Sequence, residues 1–296
     1  MSTGYLLIAN AGAGSADVEK LRRARRVLQQ SGGVELRETS SSDELDEALA
    51  DVGGRVLVVA GGDGSLHAAA NALHRSNSLV DTTVGLIPLG TGNDLARTTG
   101  IPLDPVAAAG VVVRGSARAH DVLLGSDGTV TINAVHLGIG AEAVRLGAAP
   151  KKLLGPIGYP VGAAVAGARF PGWQLNVVVD GHPQPREGRV LMVGVSLGRT
   201  IGGGAPLAPD ADVGDGLADI TVASATGMIR RVRFAARLRH GRHRELRDVH
   251  TSRGKQIDVS GDAVRANSDG ELVGPRAQWC WSVVPRAWRL ISPQES

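Results

Sequence analysis

Three glycine-rich segments each follow a short apolar run, and two acidic segments lie further along the chain. Val58-Val59-Ala60-Gly61-Gly62-Asp63-Gly64-Ser65 leads an apolar strand pattern into glycines, an acid and a hydroxyl, and a helical pattern follows. Glycines let backbone N–H groups approach a phosphate, and a helix N-terminus adds donors and a favourable dipole. On that reading Asp63 positions a metal or a hydroxyl. On the plainer one the segment is a tight strand-to-helix turn with Ser65 as N-cap. Gly85-Leu86-Ile87-Pro88-Leu89-Gly90-Thr91-Gly92-Asn93-Asp94-Leu95-Ala96-Arg97 repeats the arrangement. A parallel sheet presents such loops at the carboxyl ends of its strands, where ligands bind, so two in one domain favour a ligand site over two structural turns. Asn10-Ala11-Gly12-Ala13-Gly14-Ser15 is the third. Gly12 and Gly14 fit the dinucleotide fingerprint, but Asp17 stands at the third glycine position, and no GxxxxGK[ST] occurs anywhere. Phosphate binding here would use glycine loops without a P-loop lysine.

The stretch from Gly202 to Asp219 contains Asp210, Asp212, Asp215 and Asp219. They could collect a hard cation such as Mg²⁺; an EF-hand register fails, with Gly214 and Asp215 at positions five and six, and the alternative is a solvated acidic loop. Asn267-Ser268-Asp269-Gly270-Glu271 sets two carboxylates around a glycine at a strand end, either a general base for a hydroxyl or a common turn. The eight histidines form no HExxH pair, and His67 and His136 read as packed or surface residues. From Arg230 to Arg247 the chain holds eight arginines, and Met228, Ile229, Val232, Ala235, Ala236 and Leu238 give the first half an apolar face. A basic amphipathic helix of this kind lies against anionic headgroups, touches nucleic acid, or is simply a solvated face. Arg22, Arg23, Arg25 and Arg26 read as an ordinary exposed face.

Periodicity supplies the scaffold. Strands at 5–10, 34–37, 55–60 and 83–88 alternate with helices at 16–30, 43–51 (Ser42 as cap) and 66–74, which predicts a doubly wound α/β domain. From about residue 120 strands dominate, at 129–137, 174–179, 189–196, 218–223, 255–260 and 263–267. Asp180-Gly181 and Gly261-Asp262 read as hairpin turns, and helices are expected near 151–168 and 227–240. The second region is mostly β, a possible sandwich. The 296 residues suffice for two domains. Cys280 is the single cysteine, so no disulfide framework or cysteine metal site exists. Aromatics at 3% argue against base stacking on nucleic acid, and the net charge of +3 is too small to argue a polyanion partner. No signal-peptide pattern opens the chain, and its best apolar run, 161–168, is far short of the roughly 20 residues of a membrane span. A cytoplasmic protein is expected.

GGDGS at 61–65, PLGTGNDLAR at 88–97, GGGAPLAPDADVGDGLADI at 202–220 and DGE at 269–271, in this order, resemble the diacylglycerol kinase catalytic family. That family includes bacterial lipid kinases and sphingosine kinases and is related to NAD kinases. The resemblance runs from Asn10 to about Pro293. It implies an ATP-binding α/β domain over 1–120, joined by a returning segment 276–296, and a mostly β, sandwich-like lipid-substrate domain over 121–275, with the site in the cleft between them. It further implies ATP contacts from Asn10, Ala11, Gly12, Ala13, Gly14 and Thr39 (Ser40 being a rival), from Gly61, Gly62, Asp63, Gly64, Ser65, Leu66 and His67, and from Thr91, Asn93 and Asp94. Mg²⁺ would be held by Asp212, Asp215 and the carbonyl of Leu217. Glu271 would accept the proton, with Asp269 beside it. Ser65 replaces a commoner threonine, and Gly214 stands where an acid often occurs. The implied reaction is ATP-dependent phosphorylation of a lipid hydroxyl, diacylglycerol first, by a possible homodimer with peripheral membrane contact. A kinase for another acceptor, including NAD or a sphingoid lipid, and a non-enzymatic nucleotide- or lipid-binding relative are the alternatives.

Overall fold

The computed structural model describes residues 4–10, 15–139, 141, 171–224 and 227–294. The chain divides into two compact units. The first comprises Met1–Val122, Val213–Asp215 and Val284–Ser296, and the second Leu123–Asp212 and Gly216–Val283. The loop 11–14 and the helix expected near 151–168 lie outside the described residues.

The first unit alternates strands and helices: β1 (Tyr5–Asn10), α1 (Ser15–Gln29), β2 (Val34–Thr39), α2 (Ser42–Ala50), β3 (Val56–Gly61), α3 (Asp63–Arg75), β4 (Thr83–Pro88), α4 (Asp94–Thr99) and α5 (Pro105–Arg114). Strand order is β2-β1-β3-β4, all parallel, so the chain steps one way from β1 to β2 and the other way to β3. β3 and β4 are buried along nearly their whole length because helices cover both faces, which is why they read as unbroken apolar runs. On one face Leu21, Ala24 and Leu28 of α1 and Ala109 and Val112 of α5 pack on Tyr5, Leu7, Ala9, Val58, Ala60 and Ile87. α2 and α3 contact each other.

Capping sets the helix starts. Ser41, one residue before the expected cap, accepts from the Glu44 N–H at 3.2 Å, and Glu44 accepts from the Ser40 N–H at 2.7 Å. This reciprocal capping box opens α2 at Ser42. The Ser40 donors hold the Glu44 carboxyl below the usual range. α5 went unread in the sequence; Asp104 caps it, accepting from Val106 and Ala107, and Pro105 follows at the first helical position.

Two distant segments complete this unit. Strand β5 (Ser116–Gly125) starts in it, and the last part of β14 (Glu271–Ser292) returns to it, where Arg289 and Leu290 lie parallel to Thr83 and Val84 of β4. Asp121, fully buried, joins them. Its Oδ1 accepts from the Arg286 N–H at 2.8 Å, its carbonyl from Trp288 Nε1 at 3.3 Å, and its own N–H donates to the Val213 carbonyl at 2.7 Å.

The second unit is antiparallel, in the order β12 (Val249–Gly254), β11 (Ala218–Ala223), β10 (Met192–Ser196), β7 (Ala134–Gly138), β13 (Gln256–Ser268), β14. The short β6 (Val130–Thr131) pairs with β5, and β8 (Leu175–Val179) pairs with β13 and with β9 (His182–Pro183). The Asp180-Gly181 turn joins β8 to β9 as the sequence predicts, with φ of 48° and 80°. Gly261-Asp262 is not a hairpin. It lies inside β13, at a register shift between Ser260 and Val264. Before that bulge β13 faces β8, and after it β13 faces β7. The bulge lets one strand change neighbours, a corner-turning device of sandwiches. A Cβ at Gly261 would stand 2.0 Å from the Gln174 carbonyl oxygen, so the crossing requires glycine. α6 (Met228–Leu238) contributes Phe234 to a core with Leu191, Met192, Leu207, Ala223, Leu246 and Val249. No described helix is long and apolar enough to cross a membrane.

His136 lies in β7 at 8% exposure, with Nδ1 lacking a hydrogen-bond partner among the described residues. Burial pushes its pKa from 6.5 down to about 4. The folded state therefore keeps the ring neutral where the unfolded chain takes a proton. Stability from this group is complete above pH 6.5 and lost as pH falls to about 4, on the order of 3 kcal/mol in all. Urea unfolding across that window is expected to show the slope, and His136→Gln is expected to flatten it.

Candidate functional site

The parallel register brings the nucleotide-site candidates of the first unit to one edge. Asn10 is level with Thr39, Ala9 with Ala60, and Gly61 with Pro88, so the carboxyl ends of β1, β2, β3 and β4 lie along one edge. β1 and β3 are also where the winding reverses, the position at which open α/β sheets bind ligands. Thr39 ends β2, whereas Ser40 is engaged in capping α2.

The GGDGS segment is less a loop than the expectation held. Gly61 is the last residue of β3, Gly62 is the N-cap of α3, and the helix starts at Asp63, three residues before the expected start. Ser65 is therefore inside the first turn and is not the cap. No side chain caps this end. Leu66 is 1% exposed and packs in the core, so any contribution to a ligand comes from its backbone. His67 accompanies Asn71 one turn along, with Nε2 3.2 Å from Asn71 Nδ2.

The second glycine loop lies directly against the first. A Cβ at Gly90 would fall 2.5 Å from Gly62 Cα and 2.9 Å from Asn93 Oδ1, and the Leu89 N–H donates to the Gly61 carbonyl at 3.0 Å. The two backbones touch because neither carries a side chain there. Asp63 reaches across, one carboxylate oxygen lying 3.4 Å from the Leu95 N–H in the first turn of α4. Asn93 precedes α4 in the left-handed conformation, φ 51°, and its Nδ2 donates to the Gly90 carbonyl at 2.7 Å. Its Oδ1 is buried with no hydrogen-bond partner among the described residues. Asp94 is buried and Thr91 exposed. Uncapped amides suit phosphate oxygens. The orphaned amide oxygen of Asn93 suits a hydroxyl or a metal-bound water.

In the second unit Asp269-Gly270 forms the two-residue hairpin turn between β13 and β14, with φ of 48° and 103° and Ser268 opposite Glu271. The two carboxylates differ sharply. Asp269 is 6% exposed; its oxygens accept from the Ile132 N–H at 2.8 Å and from the Asn133 and Ala134 N–H groups at 3.0 Å each. Its own N–H donates to the Ala134 carbonyl. Asp269 thus fastens the turn to the start of β7, a positioning task, and this geometry argues against its expected catalytic place. Glu271 is exposed and has no side-chain partner among the described residues.

The acidic loop also divides. Asp210 is 2.6 Å from Arg244, and Asp219 is 3.3 Å from Arg253. Asp212 and Asp215 are exposed, and Leu217 is half-buried. Carboxylate and carbonyl oxygens are the donors a hard cation takes. Among the described residues, however, no group of three or more His, Cys, Asp or Glu side chains converges as a metal cluster. Asp121 went unread in the sequence, as did the buried Asn133 and Ser196. The polar Asn133 and His136 within the apolar run from Val130 to Leu137 were the available signal.

Family models match both parts of the chain. Residues 4–124 match the diacylglycerol kinase catalytic domain, and residues 133–292 match the YegS C-terminal NAD kinase beta sandwich-like domain. The chain belongs to the diacylglycerol kinase family, with a YegS-type C-terminal domain. A Stenotrophomonas maltophilia protein named "Probable lipid kinase YegS-like" is 32% identical over 88% of this chain and 87% of its own length. A namesake from Xanthomonas campestris is 35% identical over 71% of each chain. A "Diacylglycerol kinase" of Mycobacterium tuberculosis is 29% identical over 88% of this chain and 86% of its own. The fold is that of a crystal structure titled as a diacylglycerol kinase from Bacillus anthracis, with a TM-score of 0.77 at 22% identity over 98% of this chain and 96% of that one.

In this member of the family, Gly90→Ala would force the glycine loops apart. It is expected to destabilise the protein by about 1–3 kcal/mol, read by thermal melting.

Proposed function

We propose that this protein is an ATP-dependent lipid kinase that transfers the γ-phosphoryl group to a lipid hydroxyl, with diacylglycerol giving phosphatidic acid as the first candidate. One observation carries the nucleotide half of this reading: two glycine loops meet backbone to backbone at the carboxyl edge of a parallel sheet, beside an uncapped helix start and the unpartnered Asn93 oxygen. Family membership supports the kinase half.

The α3 amides at Asp63, Gly64 and Ser65 would hold phosphate oxygens, with Asn10, Thr39 and Thr91 available on the same edge. Asp63 would keep α3 and α4 in register around the bound nucleotide. The lipid oxygen would attack the γ-phosphorus as the bond from that phosphorus to the bridging oxygen of ADP breaks. Glu271 would take the proton from the lipid hydroxyl, because it is the exposed carboxylate of the pair. Mg²⁺ would supply charge neutralisation to the phosphates. Asp212, Asp215 and the Leu217 carbonyl are the oxygen donors proposed for it.

The test is phosphoryl transfer from labelled ATP to lipids in mixed micelles. Glu271→Gln is expected to lower turnover about 10²–10⁴-fold, with ATP binding and melting temperature unchanged. Asp269→Asn is expected to act on the fold first, costing about 2–3 kcal/mol in urea unfolding, because an amide cannot accept all three backbone donors with its NH₂ group. Full lipid phosphorylation by Glu271→Gln would remove the assigned base. The absence of labelled lipid with wild type, while ATP still binds, would remove the lipid-kinase reading.

A further inference from the structure

Helix α6 in the second unit carries two different stripes, one buried and one exposed. Arg231, Phe234 and Leu238 lie three and four residues apart and face inward; Arg231 is 6% exposed, and burial pulls its pKa down. The sequence groups Met228, Ile229 and Val232 with Ala235, Ala236 and Leu238 on one apolar face, and the structure sets the first three apart. They are 63%, 84% and 52% exposed and form, with the exposed Ala236, a second stripe along the outside of the helix. Three of the seven exposed large hydrophobic residues described in the protein thus sit on the first five residues of one helix.

The charges around this stripe have one sign. Between Met228 and Arg247 there are eight arginines and a single acid, Glu245. Glu245 is taken up by Arg237 and Arg242, Asp210 holds Arg244, and Glu187 stands 3.8 Å from Arg230. The side chains of Arg233, Arg239 and Arg247 are exposed and make no ion pair or hydrogen bond among the described residues. The helix start is also unfavourable on its own. Gly227 gives no side-chain cap, no acid occupies the first turn, and arginines stand where the dipole favours negative charge.

We infer that the outer face of α6 docks on an anionic lipid surface, with Met228, Ile229 and Val232 entering the boundary between headgroups and acyl chains and the flanking arginines binding lipid phosphates. A bilayer meets both demands at once, since it removes aliphatic side chains from water while presenting anions to guanidinium groups and to a positive helix end. A second copy of the chain would cover the stripe only by bringing arginine against arginine. The inference rests on the lipid-kinase reading for its purpose and on α6 for its geometry.

The full-length chain, without ATP, is to be sedimented with phosphatidylcholine vesicles and with vesicles also containing phosphatidylglycerol. Binding is expected only to the anionic vesicles and is expected to fall with salt. Arg233→Gln and Arg239→Gln should each weaken it about fivefold, and Ile229→Ser with Val232→Ser about tenfold. All four side chains are exposed, so melting temperature and turnover on micellar lipid should stay at wild-type values. Equal binding by wild type and variants would overturn the inference. So would no binding to anionic vesicles, or a dimer by light scattering that Ile229→Ser abolishes. A protein that docks but phosphorylates no lipid would retain the docking surface and lose the proposed activity. One that phosphorylates micellar lipid and ignores vesicles would do the opposite.

Discussion

The contact between Gly62 and Gly90 is the constraint from which the geometry of the candidate site follows. Parallel pairing of β3 with β4 delivers the two loops side by side, Gly61 level with Pro88. Only missing side chains let them close to backbone contact. Because they close, the Asp63 carboxylate lies near the first turn of α4, and Asn93 holds the Gly90 carbonyl with one end of its amide while the other end stays unpartnered. The glycines therefore do structural work before any phosphate arrives. A ligand would meet a surface already in place, and preorganised donors lose little on binding.

A similar economy holds at the hairpin bearing Glu271. Its neighbour Asp269 gives up both oxygens to backbone donors of residues 132–134, so one carboxylate secures the turn and the other is left at the surface. Two acids separated by one glycine thus take opposite environments, one anchoring the turn and one open to solvent. The acidic loop divides likewise, with Asp210 and Asp219 bound to arginines on other segments.

Much of this was legible in the sequence, and the failures have physical causes. β1, β3 and β4 are legible as unbroken apolar runs because helices bury both of their faces. The start of α3 was placed late because its first turn is polar and glycine-rich, while apolar periodicity begins only at Leu66. α5 escaped because Pro105 to Val113 is apolar all round and shows no stripe, and α4 because six residues carry no period. Gly261-Asp262 and Asp269-Gly270 look alike locally, yet one is a bulge and the other a turn. The difference lies in Gln174, far away in the chain, which the glycine must clear. The chemistry-bearing types at Asp63 and Glu271 stood out by motif. The anchoring roles of Asp269 and Asp121 did not, because residues 132–134, which donate to Asp269, and Arg286, which donates to Asp121, are more than a hundred residues distant.

The Asp121 junction bears on how the chain is made. The unit that begins with Tyr5 includes Val213–Asp215 and closes with the strand after Val284, and Trp288 is among its most deeply buried side chains. A ribosome therefore makes everything from β4 to Val284 before β4 gains its outer neighbour. Until then the nascent chain exposes an unpaired parallel edge, a template for association with other chains. The order of synthesis makes the amino-terminal unit the last to be completed.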